Sequence, residues 1–532
     1  MTLCRLNCLY WRHCKSVGKR MCLDFSRKRK VFKRHLFIIF FLFFLILSGP
    51  VSAKNNIELS LDRAVEITMN NSYRIRRLEL GIERTLFWLR AQRANLKSSV
   101  SLNLQTPDLS RISDYKWNST LQRDEIVRQN TERWQAILSV RQPVILFNYP
   151  TNGYISLNYK VYRYTQRDNG DKDVDYYNRV FVKYAQPFFR PNSLKNNLED
   201  AELNLELNKV NYTADRVNIM EHISGEYYDL FQLEYQRRIY EKQLKYLERL
   251  KSITDRIVAR DSSRAIERIQ VELEIANVQE NVLENKSQLR RERANMKQRL
   301  RLSMDDSLIV EPRTPITEIN IDLEQAIEYG YESSPHLRRL RIYKRKSEID
   351  VEQQKGRNSF HMTLEMTYGL ERQENKFIDI WEDYDNSNSI TLNAHIPLWD
   401  WGERNARIQA EQMEVKQRLL DIEEHSENIR KNVINTFTNL NEYQERTLNM
   451  KNSLRLAQEL LTMSLQQYAN SEISIQDVLQ IITRQKETDE KFIVAYLGYR
   501  RALLNLMVLT HYDFEKDQSL SEGLVLKKAV SN

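Results

Sequence analysis

Two acids are the residues best placed to act on anything. Glu267 and Asp477 occupy equivalent points of two stretches that resemble each other at an offset of 210 residues. Each lies just past a turn and just inside the start of a long helical segment. The second turn reads Tyr468-Ala469-Asn470-Ser471-Glu472-Ile473-Ser474-Ile475-Gln476-Asp477-Val478-Leu479. A carboxylate at such a position is favoured by the helix dipole alone. The functional alternative is a carboxylate held at a helix tip to attract cations. Little else in the chain is set up for chemistry. There is no metal-ligand spacing, no glycine-rich phosphate loop and no nucleophile motif. The eight histidines are scattered singly, His222, His336 and His425 among them. Carboxylates are abundant, but on helices this charged they read as solvated faces or i, i+4 pairs. Neither an enzyme nor a cofactor is expected.

The element that must position these acids is the run from Gly402 to Tyr468, which has no proline and no glycine after Gly402. Counted in sevens, one position reads Ile408, Val415, Ile422, Ile429, Thr436, Tyr443, Met450, Ala457, Ser464. Its partner reads Gln412, Leu419, Ser426, Val433, Leu440, Thr447, Leu454, Leu461, Tyr468. A seven-residue repeat held this long specifies a coiled-coil helix, on the order of 100 Å in length.

The formal charge of +9 invites a nucleic-acid partner until its distribution is considered. Eleven Lys or Arg precede Lys54 against a single acid, Asp24, so the rest of the chain is close to neutral and nucleic acid is excluded. The basic segment is followed by the apolar run Leu36 to Leu47 and by Val51-Ser52-Ala53. That order reads as a secretory signal too short to span a membrane, with Met21 a plausible true start. All four cysteines (Cys4, Cys8, Cys14, Cys22) lie before the cut, so the exported chain has no disulfide, thiol or lipid-anchoring cysteine.

The exported chain is duplicated. Leu59 to Leu78 recurs at Ile321 to Leu340, an offset of 262 residues, with a break at Asn70-Asn71-Ser72 that recurs at Glu332 to Pro335. Each repeat reads as opening helix, strand, strand, very long helix, turn and return helix. The return helices run from about Ser263 to Leu302 and from Ser474 to Leu509. Opening and return helices, placed end to end, match the long one and are expected to lie alongside it. In the second repeat Phe360, Met362, Leu364, Met366, Tyr368 and Leu370 alternate with polar residues, as do Ile390, Leu392, Ala394, Ile396 and Leu398. Half-buried strands of a soluble sheet give the same pattern. In an exported chain with little else to build a core from, strands of this length read as lipid-facing staves around a polar lumen.

The difference between the offsets places about 52 extra residues in the first repeat, between Pro107 and Tyr176. Asn152-Gly153 there reads as a hairpin turn, with Trp134 to Gln142 descending and Tyr154 to Tyr164 returning. Asp108 to Arg133 and Gln166 to Asp175 are then long polar connections outside. That gives six strands per chain; the alternative is an extracellular hairpin above four. The expected organisation is a signal peptide at 1–53 and a first repeat at 54–310, with an inserted hairpin 108–176 and a helical hairpin 193–302. A second repeat at 311–514 carries strands within 360–398 and a helical hairpin 402–510. A polar tail at 515–532 completes it.

In their order, duplication and spacing these features resemble the TolC-type outer-membrane efflux family. The resemblance spans essentially the whole exported chain. It rests on the opening motifs (Leu61 to Asn71, Leu323 to Pro335), the junction Pro397-Leu398-Trp399-Asp400-Trp401-Gly402-Glu403-Arg404, and the turn Tyr468 to Leu479. It implies a mixed membrane protein: a homotrimer whose strands close one barrel in the outer membrane and whose helices form a coiled-coil tunnel through the periplasm. It also implies a passive exit duct of an efflux or type I secretion system for small toxic molecules or secreted proteins. The implied partners are a periplasmic adaptor, an inner-membrane transporter and outer-membrane lipid. Acids ring the family's channel aperture at the periplasmic tip; Asp477 matches one, and Glu267 falls at the corresponding position of the first repeat. Ile473 stands where the family has a basic latch residue, Gln480 where it has a second aperture acid, and Ser471 where it has the turn glycine. The family's latch is therefore not carried over. The competing reading is an exported coiled-coil scaffold that binds partners along its helices and has an incidental sheet.

Overall fold

The computed structural model describes residues 56–520 except 148, 169 and 170. The expected signal peptide and residues 521–532 of the tail lie outside the described residues. In chain order the elements are β1 (Asn56–Glu58), α1 (Leu61–Asn71), α2 (Tyr73–Ala94), β2 (Ser99–Asn118), β3 (Arg123–Leu146), β4 (Tyr149–Asp168), β5 (Asp171–Phe188), α3 (Ser193–Val258) and α4 (Ala265–Leu300). There follow β6 (Ser307–Ile309), α5 (Leu323–Ser333), α6 (Pro335–Gly356), β7 (His361–Glu374), β8 (Asp385–His395), α7 (Glu403–Ala469), α8 (Ile475–Thr510), β9 (Tyr512–Asp513) and β10 (Gln518–Ser519). Strands β1 and β6 pair only with each other.

The duplication governs the helices. The break in each opening segment is a serine in extended conformation. Ser72 ends α1 and its hydroxyl accepts from Arg74 N to start α2, and Ser334 serves α5 and α6 in the same way with Pro335 in the first turn. The long helices α3 and α7 have 66 and 67 residues. As expected, α2 and α4 lie along α3, and α6 and α8 along α7. The seam of α7 follows the seven-residue repeat: Val433, Leu440, Thr447, Leu461 and Tyr468, all from one position of it, are buried. Its first part departs from this. No residue from Glu403 to Asn428 is buried, although Ile408, Val415 and Ile422 continue the repeat. Helix α8 is apolar enough to cross a membrane by length and composition. That apolarity is used inside the chain, where Phe492, Ile493, Tyr496, Tyr499 and Leu503 are buried.

The remaining strands form one antiparallel sheet in the order β2-β3-β4-β5-β7-β8, with β2 and β8 at its edges. Register places Leu102 opposite Leu138, Leu157 opposite Val182 and Met366 opposite Ile390, so these residues share a face, and all six are exposed. The opposite face is polar and charge-matched: Lys183 Nζ lies 3.0 Å from Glu365, and Arg179 Nε 3.3 Å from Glu371. On β7 the apolar band runs from Met362 to Leu370, roughly 27 Å along the strand and about 21 Å tall at a tilt near 40°. Aromatic pairs flank it, Phe189 with Phe360 and Trp399 with Trp401 at the helical end, and Phe377 with Tyr176 and Trp381 at the other.

The insertion differs from expectation in its turns. The strands run far past the predicted connections, so Asp108 to Arg133 is a continuous β2–β3 hairpin turning at residues 119–122, and β4 and β5 stay paired as far as Asp168 with Asp171. Asn152-Gly153 lies inside β4, and the hairpin turns at Phe147 instead. The turn signal at Asn152 was nonetheless physical. Its φ is 64°, a left-handed value, but it serves a bulge where the β3–β4 register shifts near Pro143. The bulge aims the Asn152 amide at the start of α3, where it donates to Pro191 O at 2.8 Å and accepts from Ser193 Oγ at 3.0 Å. At Gly153 a Cβ would meet Gln186 Oε1 at 2.1 Å.

The histidines are not all solitary. His336 on α6 and His425 on α7 pack with ring centroids 4.1 Å apart and planes tilted by 51°, and His361 and His395 pair across β7 and β8 at 4.8 Å. Burial lowers the pKa of both His336 and His425, and the Arg339 guanidinium, 2.8 Å from His336 Nδ1, lowers them further, with Asp421 opposing at His336. A folded-state pKa below the unfolded one means the neutral pair is fully stabilising above pH ~6.5 and loses that stability as pH falls below it. The thermal midpoint is therefore expected to drop between pH 7 and 5, and the drop to shrink in His425→Gln. An identical pH profile in the variant would refute a role for the pair.

Candidate functional site

Both expected acids lie where the helical hairpins turn, and the structure gives them different surroundings. The first hairpin leaves α3 at Ala259, passes a short 3-10 turn at Ser262–Arg264 and enters α4. The second leaves α7 at Asn470 and enters α8 after Ser474. Ser471, where the resemblance expects glycine, takes φ 64°.

Asp477 completes a reciprocal cap on α8. Its carboxylate accepts from Ser474 N at 3.1 Å and from Ser474 Oγ at 2.7 Å, while its own N–H donates to Ser474 Oγ at 3.2 Å. The hydroxyl and backbone bonds from Ser474 hold its pKa below the usual range. The side chain remains exposed, so Asp477 is a helix-start residue whose ionised charge still reaches solvent.

Glu267 is held inward. Arg264 grips both its oxygens, at 2.8 and 2.9 Å, and the Tyr468 hydroxyl donates to it at 2.7 Å. Tyr468 comes from the other hairpin, is fully buried, and also lies 3.1 Å from Thr254 Oγ1. Desolvation and the Glu267 carboxylate push the Tyr468 phenol up to about 12, so it is always a donor here. Arg264 reaches across as well, to Ser471 Oγ at 3.4 Å. Beneath these polar contacts the two hairpin ends share one apolar cluster that includes Leu250, Val271, Leu461, Tyr468 and Val478. The tip is thus a single packed unit in which Glu267 is a tie between hairpins and Asp477 is a projecting charge. Sequence reasoning missed Tyr468 and Arg264. Tyr468 occupies a heptad core position and reads as packing alone, whereas Arg264, three residues before Glu267, was a signal available in the spacing.

Among the described residues no group of three or more His, Cys, Asp or Glu side chains is placed to hold a metal ion. Residues 331–510 match the family model described as outer membrane efflux protein. No curated protein sequence matches the chain. Solved structures match over nearly the full length at low identity. The outer-membrane channel OprN is 12% identical with a TM-score of 0.61, covering 85% of this chain and 89% of its own. The outer membrane protein VceC from Vibrio cholerae is 11% identical with a TM-score of 0.60, covering 85% and 96%. The Campylobacter jejuni CmeC outer membrane channel is 11% identical with a TM-score of 0.59, covering 90% and 93%. At these identities the likeness is one of fold.

Replacing Tyr468 by Phe removes the buried donor that joins the hairpins and leaves Glu267 with Arg264 alone. A loss of about 1–2 kcal/mol in tip stability is expected, read as faster hydrogen exchange at α4 and α8 starts. Unchanged exchange would show that the apolar cluster alone holds the tip.

Proposed function

We propose, on the premise that the chain belongs to the outer membrane efflux protein family, that it is the passive outer-membrane duct of a tripartite efflux or secretion system. The observation that carries this reading is the exposed apolar face running across all six strands of the sheet. In water such a face is a liability; in lipid it is the solvated side of a barrel wall whose polar face lines the lumen. Edges at β2 and β8 cannot stay unpaired in hydrocarbon, so β8 of one chain pairs with β2 of the next. Three chains close a barrel of about eighteen strands, six from each. Trimer formation also supplies neighbours for the unburied heptad positions of α7 between Glu403 and Asn428. The helices then continue as a periplasmic tunnel that ends at the hairpin tips, where an adaptor and an inner-membrane transporter engage.

In that trimer three copies of Asp477 crowd the aperture and raise the local field for cations. Three Glu267 side chains lie nearby, each balanced by its Arg264. A scaffold without a channel has no use for an apolar sheet face of membrane height. The duct reading expects a detergent-dependent, heat-modifiable trimer that conducts in planar bilayers; a water-soluble monomer with no conductance would sink it. Asp477→Asn is expected to lower the cation-to-anion permeability ratio about two-fold or more in reversal-potential measurements, and Glu267→Gln to change it less. Unaltered selectivity in Asp477→Asn would leave that residue only its capping role.

A further inference from the structure

Where the strands give way to helices, a cavity of about 810 Å³ opens on the polar side of the sheet. Its walls carry Lys97 just after α2, Arg141 on β3, Arg190 between β5 and α3, Arg357 just after α6, and His361 at the start of β7. No Asp or Glu is among the described residues that line it. Arg141 and His361 alternate with Val140 and Met362 of the apolar band, which places them on the lumen-facing side of the proposed barrel.

The cations are held apart from counter-charges. Arg141 stacks its guanidinium 3.8 Å over the Tyr154 ring. The Nδ1 of His361 lies 2.9 Å from Ser359 O, which makes it the donor nitrogen and leaves Nε2 to accept from Arg190. Among the described residues none of Lys97, Arg141, Arg190 and Arg357 forms an ion pair with a carboxylate. Complementing a helix C-terminus accounts for Lys97 and Arg357, but not for Arg141 or Arg190. Farther along the same face Lys183 is matched by Glu365 and Arg179 by Glu371, while Lys160 lies over the Tyr162 ring and Arg133 over the Tyr164 ring. At this one level cations from four segments thus share a cavity with no acid among the described residues lining it, in a space the size of ordinary small-molecule pockets, roughly 300–1,000 Å³.

The geometry points to a binding site for a small water-soluble polyanion, a molecule bearing two or more phosphate, sulfate or carboxylate groups, at the level where tunnel meets barrel. Guanidinium forks suit such oxygens bidentately. The location in a lumen rests on the duct reading; the site itself rests on the cavity. A lipid headgroup carries the same anionic chemistry, but its tails would have to lie against the polar face, away from the apolar band.

The test uses the full chain in neutral detergent, titrated by calorimetry with inorganic pyrophosphate and, as a control, with choline. Pyrophosphate binding without choline binding is expected. It should weaken at least about tenfold in the quadruple variant Lys97→Gln/Arg141→Gln/Arg190→Gln/Arg357→Gln and hold in Lys183→Gln, which lies in the matched region. Should the quadruple variant fail to assemble, the pair Lys97→Gln/Arg357→Gln, both lining the cavity, is expected to weaken binding severalfold on its own. No pyrophosphate binding, equal affinity in the variants, or binding only of phosphatidylglycerol micelles would overturn the proposal. Bilayer conductance of the same preparations separates the two readings. A wild type that conducts while the variants keep full pyrophosphate affinity removes the site alone. A wild type that binds pyrophosphate but never conducts removes the duct and leaves the site standing.

Discussion

Helices of 66 and 67 residues must be buried along their length by partners of at most 36. An isolated helix that long and that charged gains little from propensity; its stability comes from an apolar stripe that finds a neighbour at every turn. The chain meets this by stacking an opening segment and a return helix end to end along each long helix, with the joint made by a serine cap at Ser72 or Ser334. Duplication follows naturally, because one such composite cannot cover all sides of its own long helix, and α3 also contacts α6 and α8 of the other repeat. Two buried charges mark the packing of α3, one within its own repeat and one across to the other. Glu234 on α3 is met by Arg237 and by Arg293 of α4, and Asp489 on α8 by Tyr235 of α3 at 2.8 Å. A buried carboxylate left without its partner is costly, so each pair penalises sliding of the helices past one another.

The two repeats diverge where length matching no longer constrains them. At the hairpin tips the apolar cluster is shared, yet one acid is turned inward to Arg264 and Tyr468 and the other is left facing solvent by its cap. Equivalence in sequence placed Glu267 and Asp477 in the same role; the extra Arg in one turn separates them. A carboxylate bonded bidentately and screened from water contributes little external field, whereas a capped but exposed one contributes nearly all of its charge. The sequence offset is therefore a guide to position and not to function at this site.

What was legible in the chain divides along the range of the interaction. Helix limits, the serine breaks and the heptad seam Val433, Leu440, Thr447, Leu461, Tyr468 are local or periodic properties, and they appear where the pattern put them. The alternating strands were legible for the same reason. The hairpin turns were not. Asn152 does adopt the left-handed backbone that its type favours, but whether such a residue makes a turn or a bulge depends on the strand opposite, and that pairing is set by register. The histidine pairs His336–His425 and His361–His395 likewise depend on which helix or strand lies next door. The cationic cavity draws Lys97, Arg141, Arg190 and Arg357 from four separate segments, each of which alone reads as an ordinary surface charge.

The junction between strands and helices carries a cluster of left-handed residues, and the reason is geometric. A strand ending in a sheet and a helix starting beside it run in different directions, so the chain has to turn sharply within a few residues. Phe189, Trp401 and Gly402 do so with left-handed φ values of 63°, 54° and 83°, and Asp400 caps the new helix in place of the N-cap residue by accepting from Gly402 N and Arg404 N. Non-glycine residues hold such angles only when neighbours compensate. Here the compensation is aromatic, since Phe189 packs on Phe360 and Trp401 on Trp399. Those rings also sit at the end of the exposed apolar band, where amphipathic aromatics are most stable between lipid and water. The same residues thus relieve the turn and, in the proposed duct, mark the membrane boundary, which leaves the polar side of this level free to gather the charged side chains that the apolar side excludes.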